Sequence, residues 1–113
     1  MSHEKFQKQI NALFECATMC EHCSSSCLEE EDVKMMAGCI RLDRDCADIC
    51  RLTATLLSRG SEHGIHLLKE CIEVCESCAK ECKKYTRMQH CKQCAEACDK
   101  CVDVCSEMIV NIN

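Results

Sequence analysis

The sequence predicts an all-α protein, an antiparallel up-down-up-down four-helix bundle with a cysteine-lined core. Three observations lead there. Cysteines recur at helical spacing in four separate stretches of the chain. There is no proline, and only three glycines and three aromatic residues (Phe6, Phe14 and Tyr85), a composition free of the strongest helix breaker and poor in strand formers. The segments between the cysteine stretches are short, and short connections set consecutive helices side by side and antiparallel. The 113 residues suffice for one domain with a modest core, so residues 1–113 read as a single domain.

The helical spacing is clearest in CKQCAEACDKCVDVC, where Cys91, Cys94, Cys98, Cys101 and Cys105 follow at steps of 3, 4, 3 and 4. At about 100° per residue these five fall within an arc of roughly 140°. A strand would scatter them over both faces, because a step of three changes face and a step of four does not. The thiols therefore occupy the stripe that normally carries Leu and Ile. Cys16, Cys20, Cys23 and Cys27 repeat the device at steps of 4, 3 and 4, as do Cys71, Cys75, Cys78 and Cys82. Cys39, Cys46 and Cys50, spaced 7 and 4, share a face in the same way.

Taken in order, the first helix should run from near Ser2, a candidate N-cap, to about Leu28. Phe6, Ile10 and Leu13 begin its inner face and cysteines continue it. The acidic residues 29–32 suit the start of a second helix, where negative charge meets the helix dipole. That helix should reach about Ser58, with Met35, Cys39, Cys46, Cys50 and Leu57 along one line. Gly60 reads as the residue just past its end and Ser61 as the N-cap of the third helix. The third helix carries Leu67 and Leu68 before its cysteines and breaks near residues 84–86. Thr86 and Gln89 fit a capping box for the fourth helix, which ends with Ile109 and Ile112 on the stripe side. Folding the chain about its three turns gathers Phe6, Ile10, Leu56, Leu57, Leu67, Leu68, Met108 and Ile109 into an apolar plug. The opposite end collects Met35, Met36, Cys27, Cys82, Met88, His90 and Cys91 into a sulfur-rich mouth.

Sixteen cysteines in 113 residues mark either a disulfide scaffold or a metal protein. The amino terminus has no apolar h-region, twin arginine or cleavage site, and no run of 18 apolar residues offers a membrane span. The expected location is therefore cytoplasmic, where thiols stay reduced. Within a stripe, Cβ atoms at i and i+4 lie about 5–6 Å apart, beyond the roughly 3.5–4.5 Å a disulfide accepts. A net charge of −5 with both signs interspersed offers no basic patch for nucleic acid or anionic lipid. There is no nucleophile–base pair with an orienting third group and no phosphate loop, so no enzyme activity is expected.

A core of thiols buries less apolar area than one of Leu and Ile, and ligation of a soft metal is the compensating gain. Zn²⁺ held by four thiolates leaves about −2 at each site, and four such sites would leave about −8 in a narrow core, a prohibitive desolvation cost. Cu(I) is monovalent, so one ion per thiolate leaves the core formally neutral. Sulfurs bridged linearly by Cu(I) sit roughly 4.5 Å apart if the bond is about 2.3 Å long, within reach of cysteines at i and i+4. Tetrahedral zinc needs sulfurs closer together and drawn from several helices. Iron–sulfur ligation expects CxxC motifs in irregular loops with a following proline, whereas the four CxxC steps here belong to helical stripes. Zinc or other soft-metal buffering, and a redox-buffer bundle cycling thiols to disulfides, stay open as alternatives.

Residues 38–50, GCIRLDRDCADIC, together with the CxxxC repeats on the other helices, resemble the cytosolic copper storage proteins of bacteria, over essentially the whole chain. The resemblance implies a four-helix bundle, a homotetramer, and many Cu(I) ions bound by inward-facing cysteines, with all sixteen as ligands. Similar members can have histidines where this chain has Met35 and Met36. Beyond the cysteines, Met35 and His90 are candidate ligands at the mouth. Asp43, on the inner face four positions after Cys39, is placed to ligate metal, accept hydrogen bonds from thiols, or pack at the stripe edge. His22 is expected on the surface, and His3, His63 and His66 facing solvent or in structural roles. Arg41 and Arg44 should point outward and serve salt bridges.

Overall fold

The computed structural model describes residues 3–112, and the side chains of 4–110. Four helices account for most of it: α1 (Gln7–Cys27), α2 (Ala37–Ser58), α3 (Glu62–Cys82) and α4 (Gln89–Ile112). Short 3-10 turns, His3–Phe6, Val33–Met36 and Lys83–Tyr85, precede α1, precede α2 and follow α3. No strand occurs among the described residues. Each helix packs on its two ring neighbours, α1 on α2 and α4, and α3 on α2 and α4. The result is an elongated bundle of 49 × 21 × 18 Å.

The turns follow from particular residues. At the end of α2, Gly60 adopts φ 71°, a backbone geometry that side chains resist. Its N–H donates to Leu57 O at 3.0 Å and the next N–H, of Ser61, donates to Leu56 O at 3.0 Å. This paired closure is a Schellman motif. Ser61 then caps α3, its side chain accepting from the His63 N–H at 3.2 Å. Gly64 lets α3 lie close against α2, because a Cβ there would stand 3.0 Å from both the Leu57 backbone nitrogen and a Leu57 methyl. At the other end of the bundle, Asp32 caps the turn before α2 by accepting from the Met35 N–H at 3.2 Å.

Two expectations about helix starts change. Thr86 has helical backbone angles (φ −66°, ψ −14°), which an N-cap does not adopt. The last turn of α3 instead tightens through the 3-10 segment, and α4 starts after Met88, whose carbonyl accepts from the Cys91 and Lys92 N–H groups. The Ser2 cap and the side chains of His3 and Ile112 lie outside the described residues.

One core runs the length of the bundle, from Ile10, Leu13, Leu57, Leu68 and Met108 at one end to Met36 at the other, with the cysteines between. Lys8–Glu107, Lys100–Glu15, Arg51–Glu21 and Lys83–Asp99 pair neighbouring helices on the outside. Such exposed pairs set register and contribute little stability, typically below about 1 kcal/mol each. Arg41 and Arg44 point outward as expected, but the α1–α2 ion pair is made by Arg51. No described helix is long and apolar enough to cross a membrane.

Candidate metal centre

All sixteen cysteines are buried, and all are free thiols. Their sulfurs meet across helices more often than along them. Along one helix, Cys23–Cys27, Cys46–Cys50 and Cys101–Cys105 lie 3.9–4.0 Å apart. Across helices, Cys39–Cys82 are 3.5 Å apart, Cys46–Cys75 3.6 Å, Cys50–Cys71 3.7 Å and Cys16–Cys98 3.7 Å. The 3-and-4 spacing produces both kinds of contact, since it turns every stripe toward the same axis.

At hydrogen-bond range fifteen of the sulfurs fall into an outer and an inner set, and the sixteenth, Cys78, meets Asp43. Cys23, Cys27, Cys39, Cys82 and Cys91 form the outer set. The inner set runs from Cys94 through Cys20, Cys98, Cys16, Cys46, Cys50 and Cys75 to Cys101 and Cys105, with Cys71 beside Cys50. Asp43 stands between the sets. Its Oδ1 accepts from Cys78 at 3.2 Å, Cys94 at 3.4 Å and Cys82 at 3.7 Å, and its Oδ2 from Cys39 at 3.7 Å. The carboxyl is fully buried. Desolvation, reinforced by the sulfurs of Cys94, Cys78 and Cys39, pushes its pKa up to about 11. Of the three roles its position allowed, hydrogen bonding with thiols is the one the geometry displays, and a place among metal-holding groups accompanies it.

At the mouth, His90 Nδ1 lies 3.5 Å from Cys23 Sγ and 3.5 Å from Cys91 Sγ, and 3.9 Å from Cys27 Sγ. Burial pushes the Cys27 and Cys91 thiols up, that of Cys91 to about 12. Met35 is placed differently from its expected line. Its side chain is 39% exposed, whereas Met36 is fully buried. The 3-10 turn Val33–Met36 rotates the chain by about 120° per residue rather than 100°, so the register of α2 does not extend back to Met35. The Met35 carbonyl accepts from the Tyr85 hydroxyl at 3.2 Å, tying the two connections at this end together. His22, His63 and His66 are exposed, the last two in edge-to-face contact. Glu30, which nothing in the sequence distinguished from its acidic neighbours, meets His90 Nε2 at 2.8 Å.

Several sets of four donors come within 4.8 Å of one another: Cys16, Cys46, Cys50 and Cys75; Cys16, Cys20, Cys46 and Cys98; Cys20, Cys78, Cys94 and Cys98; Cys23, Cys27, His90 and Cys91; and Cys23, Cys39, Asp43 and Cys82. Four-thiol groups drawn from several helices therefore exist, and distance alone does not disfavour zinc, contrary to the expectation from spacing. What does disfavour it, beside charge, is sharing. Cys16 and Cys46 belong to two sets, as do Cys20 and Cys98, so the sets cannot all be filled by separate tetrahedral ions. Bridging thiolates between monovalent ions use shared sulfurs naturally.

Fold and site together define a soft-metal-binding four-helix bundle. Residues 2–110 match the Copper storage protein family, and the chain belongs to it. It is similar to the uncharacterized cysteine-rich protein YhjQ of Bacillus subtilis, with 40% identity over 99 residues, 88% of this chain and 91% of that protein. Among solved structures it is similar to the cytosolic copper storage protein of Streptomyces lividans carrying five coppers (37% identity, TM-score 0.90, 96% of this chain and 94% of that one). The same protein loaded with 10 copper equivalents gives 38% identity and a TM-score of 0.86, over 90% and 81% of the two chains. Cu(I)-bound BsCsp3 from Bacillus subtilis gives 39% identity and a TM-score of 0.85, over 90% and 95%.

Proposed function

We propose that this protein stores and buffers Cu(I) in the cytosol, binding many ions per chain through its sixteen cysteines, with His90 as a ligand at the mouth and Asp43 at the junction of the two sulfur sets. The observation that carries this reading is the continuous column of buried, unpaired thiols with neighbouring sulfurs 3.5–4.0 Å apart. Met35 can act only from the rim, as an exposed thioether. No chemical turnover is assigned, and the chain acts as one metal-binding unit.

The mechanism is proton-for-metal exchange. Desolvation opposes ionisation of every buried thiol, and where a thiol is pulled down, as at Cys16 and Cys39, hydrogen bonds from neighbouring thiols do it, so protons are held within the copper-free column and the fold persists without ions. Each Cu(I) that binds displaces a proton from a thiol and takes its place between sulfurs. Copper meets His90, Cys23, Cys27 and Cys91 first, since these lie at the polar end, then passes Asp43 into the inner set. Ions that bind only the folded bundle stabilise it by mass action.

Anaerobic titration of the reduced protein with Cu(I) should give a capacity far above four ions per chain, approaching one per cysteine. Saturation at four ions or fewer would defeat the storage reading, and preferential retention of Zn²⁺ in competition would shift it to zinc. Assembly as a homotetramer rests on the family resemblance, and exposed Phe14 and Leu52 (42% and 50%) are apolar surface that such contacts would cover. Sedimentation equilibrium should then report four chains, and a monomer at micromolar concentration would remove that part.

A further inference from the structure

Glu30 lies in the turn that closes α1, where its N–H donates to Cys27 O at 3.2 Å. Its carboxylate reaches across to α4 and meets His90 Nε2 at 2.8 Å. The other ring nitrogen, Nδ1, faces Cys23, Cys91 and Cys27 at 3.5–3.9 Å. The imidazole is nearly buried, with 12% of its side chain exposed, and the carboxylate is 31% exposed.

An ionised carboxylate only accepts hydrogen bonds, and a neutral imidazole carries one N–H and one lone pair. At 2.8 Å from Glu30, the proton belongs on Nε2, and the lone pair of Nδ1 is left facing three thiols. That is the tautomer a soft cation needs. The opposite tautomer would point an N–H at the sulfurs and keep an ion out. Histidines that ligate metals commonly donate their second N–H to a carboxylate, which fixes ring and tautomer together.

We infer that Glu30 is the positioning residue of the mouth: it holds His90 with Nδ1 open toward Cys23, Cys27 and Cys91, so that the first Cu(I) meets a prepared ligand set. This rests on the reading of His90 as the mouth ligand. Glu30 touches no copper itself. Its effect falls on how fast the first ions load, leaving capacity to the cysteines.

Four reduced, copper-free variants, E30A, E30D, H90A and E30A/H90A, together with the wild-type chain, decide the matter. Stopped-flow absorbance follows Cu(I) supplied from a weak chelator, and nitrogen-15 NMR reports the His90 tautomer. In E30A the Nε2–H tautomer should lose its dominance and loading of the first ions should slow by about tenfold, within the range such outer partners command, at unchanged final capacity. E30D, which keeps an acceptor, should recover part of the rate. In the H90A background, removing Glu30 should change nothing further. An E30A protein with wild-type tautomer and wild-type rate overturns the role of Glu30 while leaving His90 at the mouth. Equal slowing by E30A with and without His90 overturns it too, since Glu30 would then act as an independent attracting charge. Wild-type loading by H90A overturns both the mouth ligand and its positioning, whereas the storage reading fails only if capacity collapses.

Discussion

The two ends of the sulfur column are closed by different chemistry. At the end that holds the α2–α3 connection, the start of α1 and the end of α4, Ile10, Leu13, Leu57 and Leu68 fill the axis, and the glycine-dependent turn at Gly60 and the close approach at Gly64 draw α2 and α3 together. At the end that holds the other two connections, the axis finishes in Cys23, Cys27, Cys91 and His90, with Glu30 behind the imidazole. The connections there contain 3-10 turns and are tied by the Tyr85–Met35 hydrogen bond. Dispersion and burial hold one end shut, and thiols and an imidazole occupy the other. On the proposed loading route, stability and uptake are separated along the long axis of the molecule.

The strongest way to break this contrast is to weaken the closed end. Leu57 is fully buried and packs beneath Gly64. Leu57→Ala removes its methyl groups and leaves a cavity, a change that costs about 2–5 kcal/mol in packed cores. Chemical denaturation of the copper-free protein should show that loss, while the titrated copper capacity stays at the wild-type value. A parallel fall in capacity would mean that the plug and the sulfur column are not separate.

A second test acts where the outer and inner sulfurs meet. Asp43 is held protonated, with its pKa pushed up to about 11, chiefly by desolvation. Folding at neutral pH therefore requires the carboxyl to take up a proton. From an unfolded value near 3.9, that uptake costs up to about 4 kcal/mol at pH 7. Asp43→Asn keeps the shape, one acceptor oxygen and a donor without the proton requirement, so the copper-free variant should be more stable at pH 7. Because the folded-state value lies above the unfolded one, the penalty shrinks as pH falls and is gone below the unfolded value. The gap between variant and wild type should accordingly narrow from pH 7 to pH 4. A gap that widens on acidification would show that Asp43 is ionised in the fold.

The bundle was legible from spacing because a helix converts steps of three and four into one face, and sixteen cysteines repeat that statement along the whole chain. The plug was legible for the same reason, as were Gly60 and Ser61, whose backbone and capping preferences are local. Where local continuity fails, so does the reading. Met35 was assigned by extending the α2 register through residues that form a 3-10 turn, and Met36 takes the buried place instead. Thr86 matched a cap by residue type, yet its backbone stays helical. Glu30 meets His90 60 positions along the chain, and no periodicity relates the two. Asp43 was visible as an oddity on the stripe, but its four thiol partners come from three helices and only folding brings them together.

The smallest expected effect sharpens the comparison at the boundary between plug and column. Thr53 follows Cys46 and Cys50 on the buried face of α2 and precedes Leu57 there. Its hydroxyl is buried and makes no well-formed hydrogen bond among the described residues, its one polar neighbour being the Cys71 thiol, which it pulls down weakly. An unpaired buried hydroxyl carries a desolvation penalty of about 1–3 kcal/mol, and valine fills nearly the same space without it. If the closed end is held by packing alone, Thr53→Val should raise the stability of the copper-free protein by about 1 kcal/mol, measured by thermal or denaturant unfolding. A loss of stability would show that the hydroxyl has a partner in solution, and that polar chemistry extends further toward the closed end than the packing of Leu57 and Leu68 indicates.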